Sequence, residues 1–283
     1  VAKGEEPRLA VRKMYKLYIN GAFVRSESGR SDPLVEGKEF VANIARGSRK
    51  DVRDAVVAAR AAQSKWWKAA PATRGLVLYR LAEMMEARRA EFVDRTRDEA
   101  EVTAAIDRVV WYAGWCDKYA ALLSTRNPVG GPHFNYSTPE PMGVVGMIAP
   151  DEPPLLGLVS VLMPALVAGN AVVLIGSETD PRTAVVFAEA LATSDIPPGV
   201  VNIITGFKSE LAPVLAKHMD VNAIAFTGNP QTAELQKAAA ENVKRTRIFP
   251  SRTVREWFSP AAQSLDDIAA YSEIKTIWHP AGI

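Results

Sequence analysis

Apolar residues change their spacing twice along this chain, and the changes predict where helices give way to strands. Between residues 49 and 123 they recur three and four positions apart, the helical period. The pattern predicts helices over residues 49–67, 72–90, 91–99 and 101–123. Ser48 or Asp51 caps the first, with Val52, Ala55, Val56 and Ala59 turned inward. The second is expected to bury Leu76, Tyr79, Leu81, Met84 and Met85. Ahead of these helices, β-prone runs flank Asn20-Gly21 within residues 16–24. Both central positions of a type I′ turn need positive φ, so this reads as a hairpin.

From Val144 short apolar runs alternate with helical segments. Strands are expected over residues 144–149, 171–175, 200–204 and 223–226, and helices over 155–167, 181–193, 209–217 and 230–242. Continuous apolar strands between helices imply parallel strands covered on both faces. The fold class is therefore α/β: a Rossmann-like, open, mostly parallel sheet with helices on both faces. Residues 124–139, turning at Pro128-Val-Gly-Gly-Pro132, read as a protruding antiparallel flap. Beyond Val243 the periodicity fades, apart from one helical turn at 265–270 and a last strand at 274–279. The expected division is a linker at 1–15, a Rossmann-like domain at 16–123 and 140–250, a short connection at 251–270, the flap at 124–139 and a last segment at 271–283, which the resemblance given below joins to the flap.

Composition narrows the function classes. Hydrophobic residues make up 48% and charged residues 23% of 283 positions, the proportions of an ordinary globular domain. A net charge of +2 argues against nucleic acid as a partner, so Arg8, Arg12, Lys13, Lys16 and residues 244–247 read as solvated faces. The longest apolar run, 155–168, is broken by Gly157, Ser160 and Pro164 and is too short to span a membrane. The first seven residues lack the apolar core of a signal peptide, and the first residue is Val1, which reads as a fragment or processed product. With a single cysteine no internal disulfide forms, which fits a cytoplasmic location. His133, His218 and His279 lack the spacing of metal ligands, and no metal site is expected. Cys116 lies among Trp111, Trp115 and Tyr119 and reads as a packed residue.

Four linked blocks carry a resemblance. They are Glu140-Pro-Met-Gly-Val-Val-Gly-Met-Ile-Ala-Pro150, Leu162-Met-Pro-Ala-Leu-Val-Ala-Gly-Asn170, Pro197-Pro-Gly-Val-Val-Asn-Ile-Ile-Thr-Gly206 and His218-Met-Asp-Val-Asn-Ala-Ile-Ala-Phe-Thr-Gly228. In order and spacing they resemble the aldehyde dehydrogenase superfamily, over roughly residues 16–248 and again at 271–280. The resemblance implies a mechanism in which a cysteine thiolate attacks an aldehyde and an asparagine amide steadies the oxyanion. Hydride then passes to NAD, and a glutamate activates water.

The chain departs from that pattern where chemistry is done. The block that carries the oxyanion asparagine reads Pro150-Asp-Glu-Pro-Pro154, and an ionised Glu152 has no proton to donate. The ribose-binding lysine is replaced by Ile175 in Leu174-Ile-Gly-Ser-Glu178, although Glu178 persists. The phosphate turn reads Asn229 and Ala233, and the block carrying the base reads Thr246-Arg-Ile-Phe-Pro-Ser-Arg252. Nothing downstream supplies a nucleophilic cysteine. The chain thus looks like the second, degenerate module of the two-module aldehyde dehydrogenases called family sixteen. No catalytic residue is expected, and Glu178, Gly228 and Asn229 are left as a vestigial cofactor site with weak NAD binding at most. The implied partner is a catalytic aldehyde dehydrogenase module of the same polypeptide, in a homodimer, docked through the flap with Phe134, Tyr136, Ile277 and Trp278 as apolar anchors. Two alternatives stay open: an active enzyme lacking a segment between residues 249 and 265, and an NAD-sensing module.

Overall fold

The computed structural model describes residues 11–228 and 231–281. Strands β1 (Met14–Tyr15), β2 (Leu17–Ile19), β3 (Ala22–Val24), β4 (Ser31–Glu36) and β5 (Glu39–Ala45) come first. Helices α1 (Arg49–Lys68), α2 (Pro71–Ala87), α3 (Arg89–Thr96), α4 (Glu99–Ala113) and α5 (Tyr119–Leu123) follow, then strands β6 (Thr125–Asn127) and β7 (His133–Pro141). The alternating half runs β8 (Val144–Ile148), α6 (Leu156–Val167), β9 (Ala171–Ile175), α7 (Pro181–Leu191), β10 (Val201–Ile204), α8 (Lys208–Lys217), β11 (Ala223–Thr227), α9 (Thr232–Ala240) and β12 (Arg245–Phe249). Helices α10 (Val254–Trp257) and α11 (Leu265–Ala269) lead to β13 (Ser272–Pro280).

The main sheet has the order β12-β11-β8-β9-β10-β2-β3. Its first five strands are parallel, and the β2–β3 hairpin closes the far edge antiparallel to β10. Every residue of β8, β9 and β10 is buried, because helices cover both faces. Ala171, Val173 and Ile175 of β9 pack into the core beneath α1, α8 and α9, whereas Val172 and Leu174 face the opposite layer with α2, α4, α6 and α7. At the hairpin Asn20 and Gly21 hold φ of 53° and 76°, as the type I′ turn requires. A side chain at Gly21 would also meet Pro198 at 2.9 Å.

Several elements differ from the sequence reading, each for a physical reason. Met14–Tyr15, assigned to the linker, is a strand paired with β5, and β4 completes a second sheet of order β1-β5-β4. That sheet is half exposed and mixed in polarity, so it left no apolar run to read. In α2 the buried stripe is Arg74, Leu78, Leu81, Ala82 and Met85; Leu76 and Tyr79, expected inside, are 71% and 49% exposed. The stripe is rotated because Arg74 is part of it. Its guanidinium donates to the carbonyls of Trp67 (2.9 Å) and Ala69 (2.8 Å) at the end of α1, satisfying acceptors the helix leaves free. The helix expected over 101–123 breaks after Ala113 into a turn and α5. Residues 245–249, where no periodicity shows, form β12: an edge strand that carries Arg245 and Arg247 as edges commonly do.

The third sheet is the flap, with the order β13-β7-β6. β13 pairs with β7 over nine residues, from Ser272↔Pro141 to Pro280↔His133. The buried Asn170 amide ties this sheet to the main one: it accepts from the Gly143 N–H (2.9 Å) and donates to the carbonyls of Tyr271 (3.0 Å) and Ala165 (3.1 Å).

Candidate functional site

The chain lays down β8, β9 and β10 in one direction, then returns to place β11 on the other side of β8. The carboxyl ends of β8 and β11 therefore flank a topological switch point, where open α/β sheets bind ligands. A crevice of about 250 Å³ lies there. It is lined by Ile148 to Glu152 after β8, Thr227 and Gly228 at the end of β11, Lys208, Arg252 and Trp257.

The crevice is crossed by the chain's own groups. The Lys208 ammonium donates to the Ala149 carbonyl (2.7 Å) and to Asp151 Oδ1 (2.8 Å). Asp151 also accepts from the Glu178 N–H (2.7 Å) and the Ser177 hydroxyl (3.3 Å). Partial burial pushes the Asp151 carboxyl up, but the Lys208 and Glu178 hydrogen bonds outweigh it and hold the pKa below the ordinary value. Lys208 is the cation that sequence reasoning missed. Its position as the first residue of a helix at the carboxyl edge of the sheet was the only signal.

The expected cofactor residues are dispersed or engaged. Ile175, at the lysine position, is fully buried in the core beneath α1 and α8. The Glu178 carboxylate accepts from the Lys208 N–H at the start of α8, and so serves a helix terminus. The Gly228 N–H donates to the Phe249 carbonyl (3.3 Å), tying β11 to β12. Asn229 lies outside the described residues. Glu101 fills a second helix terminus, accepting from the Leu155 (2.7 Å) and Leu156 (3.0 Å) N–H groups at the start of α6. Its burial raises the carboxyl pKa, against the pull of those two donors.

The connection between β12 and β13 forms one wall of the crevice. Trp257 is 1% exposed, with the Arg252 guanidinium 4.9 Å from its ring centre. Arg108, buried in α4, holds this segment in place. It donates to the Trp257 carbonyl (2.8 Å), to Gln263 Oε1 (3.2 Å) and to Ser160 Oγ in α6 (2.5 Å). Thr253 and Glu256 cap α10 reciprocally, and Ala262, Ile268 and Tyr271 complete a buried seam. Cys116 sits elsewhere, in the turn between α4 and α5, and burial pushes its thiol up to about 12.

The four expected anchors of the flap divide between its faces. Phe134 and Tyr136 touch, with ring centres 5.4 Å apart, and Ile277 pairs with Tyr136 on the same face. Trp278 pairs with Asn135 and lies on the opposite face, edge-on to His133. It is 60% exposed. Beyond β13 the flap sheet has no further strand among the described residues.

Among the described residues no group of His, Cys, Asp or Glu could hold a metal ion, and no helix is long and apolar enough to cross a membrane.

Residues 25–248 match the model of the aldehyde dehydrogenase family. The chain is 35% identical over 250 residues to the mitochondrial aldehyde dehydrogenase of Rattus norvegicus, a match covering 82% of this chain and 48% of that protein. It is 36% identical over 245 residues to aldehyde dehydrogenase family 2 member B4, mitochondrial, of Arabidopsis thaliana, covering 81% and 45%. The structure is similar to that of the NAD+ complex of an aldehyde dehydrogenase from Bacillus cereus, with a TM-score of 0.80 and 27% identity over 84% of this chain and 51% of that one. The chain thus spans about half the length of the relatives it matches.

Proposed function

Because this chain belongs to the aldehyde dehydrogenase family, we propose that it is a non-catalytic module which assembles with a catalytic aldehyde dehydrogenase module of the same polypeptide. The reaction served is the NAD-dependent oxidation of aldehydes to carboxylic acids. The observation that carries this reading is the packed connection from β12 to β13. It runs from the nucleotide-fold sheet directly into the flap, with its own helix caps, its own buried tryptophan and a buried arginine bolting it to α4. A segment built this way is a finished closure over the crevice.

The described residues at the crevice do not fit a dinucleotide. The crevice, at about 250 Å³, falls below the roughly 300–1,000 Å³ usual for small-molecule sites. Glu178 is spent on α8, and Lys208 is held between Ala149 and Asp151. Glu152 stands where an amide donor is needed, and Cys116 is buried away from the crevice. What remains is the shape of the sheet and the exposed edge of β13. That edge offers main-chain donors and acceptors to a strand of the catalytic module or of a second copy in a homodimer. The site of action is the cytoplasm.

The test is calorimetric titration of NAD into the purified chain, alongside an assay for NADH formation with simple aldehydes. No heat at millimolar NAD and no turnover are expected. Aldehyde-dependent NADH formation abolished by Cys116→Ala overturns the proposal. Micromolar NAD binding without turnover replaces it with a nucleotide-sensing role.

A further inference from the structure

β13 is an edge strand without the usual protection. It runs nine residues beside β7 with no break in register, longer than the roughly five to six residues typical of strands. Edges of this length are commonly blunted by prolines, bulges or charges, because their free N–H and C=O groups attract another strand. Here no proline interrupts the strand before Pro280, and among the described residues no strand lies beyond it. Its charged residues Glu273 and Lys275 are already paired, with Arg245 (2.7 Å) and Glu140 (3.0 Å). Ile274 and Trp278, large and apolar, are 59% and 60% exposed.

The spacing of these residues is self-complementary. Ile274, Thr276 and Trp278 share one face, opposite Pro139, Ser137 and Asn135 of β7, and Thr276 stands midway with its hydroxyl 2.9 Å from Ser137 Oγ. A twofold axis perpendicular to the sheet keeps each face on its own side, so β13 can pair with its own copy only through residues that point the same way. With the axis at Thr276, Ile274 of each chain lies opposite Trp278 of the other, Glu273 opposite His279, and Lys275 opposite Ile277. Both exposed apolar side chains are covered at once, and no like charges are opposed. An axis at Lys275 sets that lysine against itself. An axis at Ile277 sets Lys275 against His279 and separates Ile274 from Trp278. Axes farther out leave Trp278 or Ile274 with no opposite residue in β13.

Given that the β13 edge is the docking strand proposed above, we propose that its occupant is β13 of a second copy of this chain, in an antiparallel pair centred on Thr276. The two flaps then form one continuous sheet of order β6-β7-β13-β13-β7-β6. The contact is isologous, each copy using the same residues, so it closes at a dimer and leaves no β13 edge free.

Sedimentation velocity of the purified chain over a range of concentrations should show a monomer–dimer equilibrium. Trp278→Ser removes both Ile–Trp pairs of the twofold contact and should weaken dimerisation about ten-fold, with the Tm of the dilute monomer unchanged because the side chain is exposed. Cysteine cross-linking reads the register. Residues directly opposite have Cβ atoms about 4.5–5.5 Å apart and diagonal neighbours about 7–8 Å, against the roughly 3.5–4.5 Å that a disulfide spans. Mild oxidation should therefore join Thr276→Cys chains quickly and Lys275→Cys chains slowly. An equimolar mixture of Ile274→Cys and Trp278→Cys chains should give the mixed dimer in preference to either homodimer. Cys116 is buried and does not compete. Three results overturn the proposal: a chain monomeric at every concentration, Lys275→Cys joining as fast as Thr276→Cys, or a dimer indifferent to Trp278→Ser. A monomer that instead binds a catalytic aldehyde dehydrogenase module through β13 gives the edge to that module, overturning the dimer and leaving the proposed function standing. None of these measurements involves NAD or aldehyde, so turnover by the chain would overturn that function and not the dimer.

Discussion

Arg108 shows how much one side chain can decide. Its guanidinium is buried among Ser160, Gln263 and the Trp257 carbonyl, and burial pulls its pKa down to about 10. It still carries its charge at neutral pH. Arg108→Ala would orphan these buried acceptors together, at a cost of about 3 kcal/mol. Arg108→Lys should recover only part of it, because an ammonium cannot reproduce the planar fork. Urea midpoints of both variants check this, and a loss below about 1 kcal/mol for the alanine variant would mean the connection is held by its apolar seam alone. Cys116 offers a second check. With its thiol pushed up to about 12, almost none is thiolate at neutral pH. Folded protein should leave a thiol reagent such as DTNB unconsumed, and urea-unfolded protein should consume one equivalent; fast reaction in the folded state contradicts the burial described.

The flap puts a prediction at the level of the element. Tyr136 and Ile277 are cross-strand neighbours on one face, whereas Trp278 lies on the other. Double-mutant cycles should therefore give Tyr136→Ala with Ile277→Ala a coupling of about 0.2–1 kcal/mol. Tyr136→Ala with Trp278→Ala should be additive within about 0.5 kcal/mol. Equal coupling in the two cycles would contradict the register. Elements also mark how far the sequence could be read. The strands β8 to β11 were legible because helices bury them on both faces, leaving uninterrupted apolar runs. β12 was not, because this edge strand carries Arg245 toward solvent and Arg247 toward Asp267, which breaks the apolar run. The rotated stripe of α2 was misread because Arg74, buried for its hydrogen bonds to the end of α1, counts as polar in any pattern. The same blindness hid Lys208 at the crevice and Arg108 behind its wall: each works through contacts with residues distant in sequence, and neither belongs to a local motif. What could be read there was the departure of Pro150–Pro154 and Ile175 from the family pattern. That Glu178 and Glu101 turn onto helix termini was visible only in three dimensions.

Two carboxylates set opposing trends in the stability of the whole molecule with pH. Asp151 has a folded pKa below its reference of 3.8, so its contribution is present above that value and is lost as pH falls through the depressed one. Glu101 has a folded pKa above its reference of 4.5, so its contribution is full below that value and is lost as pH rises through the raised one. Glu101→Gln keeps a carbonyl oxygen for the Leu155 and Leu156 N–H groups and does not titrate. Its stability, measured by urea unfolding across the mildly acidic range, should fall less with rising pH than the parent's. Parallel profiles for the two proteins would remove Glu101 from the account.

The connection between β12 and β13 has a consequence for how such a chain can gain or lose whole pieces. The ends of its flanking strands are held close: Arg245 of β12 pairs with Glu273 of β13 at 2.7 Å. Chain ends held close together can be joined by a short bridge or by an inserted domain, since lengthening a loop between fixed ends adds only about 0.6 kcal/mol of closure entropy per doubling. Residues 250–271 thus mark a splice point. Foreign sequence placed there should leave the sheet and the flap in register, so the same scaffold can carry cargo or travel without it.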